Sequence, residues 1–192
     1  MFKERFIASG LFFILLLTSL LIIILPSFLD NKAIRVTLNK DIELPHLLSL
    51  RKEVTLVFFG YSGCHDICTP RLGLLGDFYD SLEPALKKNV GILFFDIGTL
   101  TDRRMAQNFA SFFHPDFDGI ALSESELRNY TKAFGVSFAP SLTKESEWEH
   151  SAMLYLVHKK QNKTTIKYIY NTYPYNFKTI TQDIKELLYA NR

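Results

Sequence analysis

Hydrophobic and polar positions fall into distinct blocks along the chain. The run from Phe6 to Leu29 carries no charged residue and is dominated by Leu, Ile and Phe. As a helix rising about 1.5 Å per residue it would extend about 36 Å, enough to cross a hydrocarbon core of about 30 Å. VTLVFF (54–59), which ends at Gly60, and VGILFFDI (90–97) are continuous apolar runs rich in β-branched and aromatic residues, the pattern of buried strands. After the first of them the loop YSGCHDICTP feeds a helix over about 68–80, with Pro70 in the first turn, where its missing N–H costs nothing. Gly73 and Gly76 either weaken that helix or permit close packing. DRRMAQNFASFF (102–113) sets Met105, Phe109, Phe112 and Phe113 at a helical period. Ser123 with Glu126 has the form of a capping box and opens a helix to about Phe134. SAMLYLVH (151–158) and TTIKYIYN (164–171) read as two strands of a hairpin joined by KKQNK. An amphipathic helix follows from about Asn176 to Tyr189, with Ile180, Ile184, Leu187 and Leu188 on one face.

This order, β–α–β–α–α–β–β–α, predicts an α/β protein with a thioredoxin-like fold: a central mixed sheet flanked by helices, behind an N-terminal transmembrane helix. The divisions are a cytoplasmic N-terminus (1–5), a transmembrane anchor (6–29), a stem (30–50) and the thioredoxin-like domain (51–192). Lys3 and Arg5 precede the apolar run, so the remainder of the chain is expected on the outer side of the membrane. The run is long for a signal peptide, no small-x-small cleavage site follows it, and it holds no cysteine for a lipid. The expected location is therefore the inner (cytoplasmic) membrane, single-pass, with the C-terminal domain on the periplasmic side.

Composition narrows the chemistry. The net charge is only +2 over 192 residues, and no block of basic residues exceeds Lys159-Lys160. Electrostatics therefore point away from nucleic acid. No glycine-rich phosphate loop follows a strand, HExxH does not occur, and no paired carboxylates stand out. There are two cysteines, Cys64 and Cys68, too close together to staple distant parts of a domain.

Cys64 and Cys68 stand where the first long strand gives way to a helix. Open α/β sheets place their sites at the carboxyl ends of strands. The helix N-terminus favours thiolate over thiol, and the i, i+4 spacing puts both sulfurs on one side of a turn. Three intervening residues, His65-Asp66-Ile67, allow the sulfurs to spread around a soft metal such as copper(I). They also allow a plain disulfide, and the pair alone leaves both open. Of the five histidines, His46 lies in the stem, His65 points away from the sulfurs, His114 ends a helix and His158 closes a strand. His150 differs. It immediately precedes the strand SAMLYLV, where thioredoxins place a cis-proline against the cysteine loop, and Pro140 is ten residues earlier. An imidazole there can complete a Cys₂His site. Tyr61, Phe59 and Trp148 are read as packing residues, and Asp66 as an exposed loop residue. The polar stretch SFAPSLTKESEWEH (137–150) is expected to be a mobile loop that orders on metal or partner binding.

These residues resemble the Sco/SenC family, copper chaperones for cytochrome c oxidase assembly. The resemblance runs from about Val54 to Leu188 and rests on FFGYSGCHDICTP, FHPDF (113–117), YTKAFGV (130–136) and EHSAMLYLV (149–157). It implies copper, as Cu(I) or Cu(II), held by Cys64, Cys68 and His150. Delivery would be to the binuclear copper centre of the oxidase, or the thiols of that centre would be kept reduced. Its partner would be the oxidase subunit carrying that centre or another exported copper or thiol protein. The chain departs from the family pattern at His65 and Thr69, where prolines are usual, in DIGTLTD (96–102), which retains Asp96, and at Glu149, where Asp is common. The rival is a membrane-anchored thiol–disulfide oxidoreductase using Cys64 and Cys68 as redox-active thiols.

Overall fold

A computed structural model of the chain describes residues 14–21, 35–98, 102–140 and 148–189, with Pro140 and residues 148–150 described as backbone only. The chain divides into two units, Met1–Ile34 and Arg35–Arg192. In the first, residues 14–21 are helical and their large apolar side chains are exposed. Among the described residues no helix is long and apolar enough to cross a membrane, and the rest of the run 6–29 lies outside them.

The second unit runs β1 (Val36–Ile42), α1 (Pro45–Leu48), β2 (Val54–Gly60), α2 (Cys68–Ser81), α3 (Pro84–Lys87), β3 (Val90–Asp96), α4 (Arg103–Phe113), β4 (Asp118–Ala121), α5 (Glu124–Phe134), β5 (Phe138–Pro140), β6 (Trp148–His150), β7 (Leu154–Lys160), β8 (Lys163–Tyr170) and α6 (Phe177–Tyr189). Six strands form one sheet in the order β1-β8-β7-β2-β3-β4. β2, β3 and β4 are parallel, whereas β7, β8 and β1 are added antiparallel. The segment expected as a stem thus contributes an edge strand, with Val36 paired to Ile169 and Ile42 to Thr164.

β2 and β3 are buried along their whole length, which is why they read as unbroken apolar runs rather than alternating ones. Their side chains still point to opposite faces in turn. Val54, Leu56 and Phe58 pack with Leu72, Leu75, Ile180 and Ile184 of α2 and α6. Val57 and Phe59 pack on the other side with Leu127, Tyr130 and Phe134 of α5 and Leu47 of α1. Local signals end the helices where expected: Asp102 accepts a hydrogen bond from the Met105 N–H at 2.8 Å, and Ser123 and Glu126 form the capping box. Gly76 lets α4 approach α2, since a side chain there would meet the Phe113 carbonyl at 2.8 Å; nothing lies within 4 Å of a side chain at Gly73.

The polar stretch 137–150 departs from its reading as a loop. Its ends form a two-stranded antiparallel ladder, β5 with β6, in which Phe138 faces His150 and Ala139 faces Glu149. Residues 141–147 lie outside the described residues.

Candidate metal centre

The site grows from the carboxyl ends of β2 and β3, where Gly60 pairs with Asp96. The chain leaves β2 through a tight turn in which the Cys64 N–H donates to the Tyr61 carbonyl at 3.1 Å. Gly63 takes a φ of +93°, a conformation open mainly to glycine. The turn is bolted to β3 by the buried Asp96 carboxylate. Oδ2 accepts from the Ser62 N–H at 2.9 Å and from the Ser62 hydroxyl, and Oδ1 accepts from the Gly98 N–H at 2.7 Å. Beyond Cys64 the chain closes on itself, since the Thr69 N–H and hydroxyl both donate to the Cys64 carbonyl, at 3.2 and 2.9 Å. α2 then starts at Cys68 itself, with no side-chain cap.

Both cysteines are buried and are not joined in a disulfide. The Cys68 N–H donates to Cys64 Sγ at 3.3 Å, and the two cysteine side chains interact with each other. The expectation that the helix terminus favours thiolate fails for Cys68. Its burial pushes the thiol up, far above the ordinary range, and the hydrogen bond and charge of Cys64 push the same way. A backbone hydrogen bond from Tyr61 opposes this, while the Asp96 charge adds to it. Burial acts this way because a thiolate taken out of water loses most of the hydration that stabilises its charge.

His150 ends β6. Its backbone is paired with Phe138, and its imidazole lies outside what the structure describes. Ala152, two residues on from His150, packs against the large apolar cluster on the sheet face to which Cys64 and Cys68 also belong, and its carbonyl accepts a hydrogen bond from the Tyr175 hydroxyl at 3.3 Å. Three of the other histidines are engaged with carboxylates: His46 with Glu126 at 3.0 Å, His114 with Asp80 at 3.2 Å and His158 with Glu53 at 3.4 Å. His65 is exposed in the turn between the cysteines, as is Asp66. Tyr61 packs against the cysteine cluster, and Phe59 is buried on the opposite face of the sheet.

Among the described residues no group of three His, Cys, Asp or Glu side chains stands ready to hold a metal ion. The dithiol supplies two soft donors, which suit copper(I) by linear coordination. Several residues that shape this place escaped the sequence reading. Gly60 leaves room for Cys68 Sγ, Ser62 ties the turn to Asp96, and Arg71 and Tyr175 line the α2 side. None carries a sequence signal of its own; each matters because of what the fold brings beside it.

A mixed sheet covered by helices on both faces, with a thiol pair entering where a central parallel strand hands over to a helix, is the architecture of the thioredoxin-like class. Within that class the chain belongs to the SCO1/SenC family, whose model matches residues 48–189. A SCO2-like protein of Rickettsia conorii is 27% identical over 115 residues, covering 56% of this chain and 55% of that protein. The chain thus spans about half the length of that curated relative. The solution structure of the apo Sco1 protein from Thermus thermophilus superposes with a TM-score of 0.61 at 24% identity, covering 80% of this chain and 92% of that one. Yeast Sco1 with copper bound gives a TM-score of 0.61 at 22% identity, covering 81% and 93%.

Proposed function

We propose that this chain is a copper-carrying protein in which Cys64 and Cys68 hold copper(I) as thiolates and His150 adds a nitrogen donor when the ion is copper(II). The observation that carries the reading is the buried cysteine pair at the end of β2, where the Cys68 N–H donates to Cys64 Sγ at 3.3 Å. Family membership and the copper-bound state of yeast Sco1 support the choice of metal. The recipient we propose is the binuclear copper centre of cytochrome c oxidase, or the cysteines of that centre. We further place the chain in the inner membrane by a helix over 6–29, with the domain on the periplasmic side. Alkaline extraction that frees the intact chain from membranes would overturn that placement.

Thiol–disulfide exchange is the second reading, because the two cysteines lie within one helical turn and interact with each other. A partner disulfide would be reduced to two thiols as Cys64 and Cys68 close to a disulfide. Burial counts against it: Cys64 is 4% exposed and Cys68 0%, so an ion reaches them more readily than a protein disulfide does.

The deciding experiment is copper titration of the purified protein with its thiols reduced. Stoichiometric copper(I) binding is expected, abolished in Cys64→Ser, Cys68→Ser, whereas His150→Ala keeps copper(I) and loses the coloured copper(II) form. Unchanged binding in the double variant sinks the copper reading. Turnover on a disulfide substrate without copper would favour the second.

A further inference from the structure

The segment that leads from His150 into β7 is held to the domain by two successive ties. Ser151 exchanges hydrogen bonds with Ser137: its N–H donates to the Ser137 carbonyl at 2.9 Å, and its hydroxyl accepts from the Ser137 N–H at 3.3 Å. One residue on, the Ala152 carbonyl accepts a hydrogen bond from the Tyr175 hydroxyl at 3.3 Å. The first tie joins the segment to the base of its own hairpin. The second reaches towards the cysteine helix through ring contacts, because the Tyr175 ring lies 6.1 Å from that of Tyr173, over which sits the guanidinium of Arg71, one helical turn past Cys68.

Arg71 is itself held. Its guanidinium carbon lies 4.2 Å from the centre of the Tyr173 ring, and Nη1 donates to the Ile67 carbonyl at 3.4 Å. Tyr175 is 5% exposed, and its ring is bracketed by Tyr173 and Phe177 at 6.1 and 6.2 Å. A phenol so placed has little freedom to turn away from its partners. Its hydroxyl holds the backbone two residues beyond His150, while its ring connects through Tyr173 and Arg71 to α2, which begins with Cys68.

We propose that Tyr175 is the positioning residue for the histidine ligand: bracketed by Tyr173 and Phe177, its hydroxyl fixes the Ala152 carbonyl and so sets the separation between His150 and the two sulfurs. The inference rests on the copper reading above. Linear copper(I) needs only the sulfurs and is indifferent to this tie. Copper(II) needs the nitrogen, so loosening the segment weakens that state selectively.

Tyr175→Phe tests this, since it removes one oxygen and keeps the ring. In the full chain, metal-free, the Ser151 amide should exchange about fivefold faster, the loss expected for one neutral hydrogen bond. The Phe58 and Phe94 amides of β2 and β3 should not change. The copper(II) dissociation constant should rise about fivefold with a weaker nitrogen signature in its electron spin resonance, and copper(I) affinity should stay as in the wild type. Arg71→Gln should move both readouts in the same direction. Wild-type exchange at Ser151 in Tyr175→Phe overturns the proposal, as does faster exchange spread evenly to Phe58 and Phe94 or an equal loss of both copper states. A wild-type chain that binds no copper through its cysteines overturns the copper reading and the ligand role with it, while the exchange data still report whether the tie exists.

Discussion

Cys68 Sγ occupies the space that a side chain at Gly60 would need: a Cβ there would stand 2.6 Å from the sulfur and 3.1 Å from Cε2 of Phe94. The absent side chain is what lets the helix bring its sulfur down onto the end of β2. Gly60→Ala should destabilise the domain by about 1–3 kcal/mol, the usual cost of overpacking, and weaken copper(I) binding by displacing Cys68. Gly73→Ala, one turn along α2 in open space, should instead stabilise by about 0.5–1 kcal/mol, as expected for a helix interior. Chemical unfolding of both variants checks the contrast, and equal effects would refute it.

Asp96 is fully buried and accepts three hydrogen bonds from the turn before Cys64 and from Gly98. Asp96→Asn offers one acceptor oxygen in place of two, so at least one donor is left facing an amide N–H. A loss of about 1–3 kcal/mol is expected. Faster amide exchange should be confined to Ser62 and Gly98. If those amides stay as protected as in the wild type, Asp96 does not hold the cysteine turn.

Arg35 and Tyr170 both donate to the Asp183 carboxylate, which is 1% exposed. Burial raises the Asp183 carboxyl above its ordinary range, while these two partners oppose that shift. Arg35→Met should cost about 2 kcal/mol, less than a fully buried pair because the Arg35 side chain is 32% exposed. Adding Asp183→Asn should recover part of the loss, because it removes a buried charge that has lost its counterion. Additive losses in a double-mutant cycle would contradict this.

Glu126 is held below its ordinary value of 4.5, first by the Ser123 hydroxyl and backbone N–H and then by His46. A carboxyl whose value is lower folded than unfolded stabilises the fold above the unfolded value. That stabilisation is lost as pH falls through the folded value. Below about pH 4.5, Glu126→Gln should therefore lose less stability than the wild type, having less to lose. Urea midpoints at pH 7 and pH 3 measure this, and parallel acid losses in the two proteins would rule it out.

Much of the sheet was legible from order and pattern. β2 and β3 showed as unbroken apolar runs because both of their faces are covered, and α4, α5 and α6 by period and caps. β1 and β4 did not, for opposite reasons. β1 is an edge strand with Val36 and Leu38 exposed, so its burial pattern is weak, and β4 has four residues, too few for a period to appear. The polar stretch after α5 read as a loop because its strand ends are three residues each, paired only to one another.

The sequence by itself determined the long central strands, the helices beside them and the placing of two thiols at a strand-to-helix junction, all encoded locally in period, cap and spacing. It read His150 as entering the strand SAMLYLV, whereas β6 ends at His150 and β7 starts only at Leu154. Only the tertiary structure decided that Cys68 would be a raised, buried thiol, that Gly60 would yield its space to that sulfur, and that Asp96 and Tyr175 would hold the walls of the site. Those relations join residues far apart in the chain, and burial and hydrogen bonding across such distances arise only when the sheet brings them together.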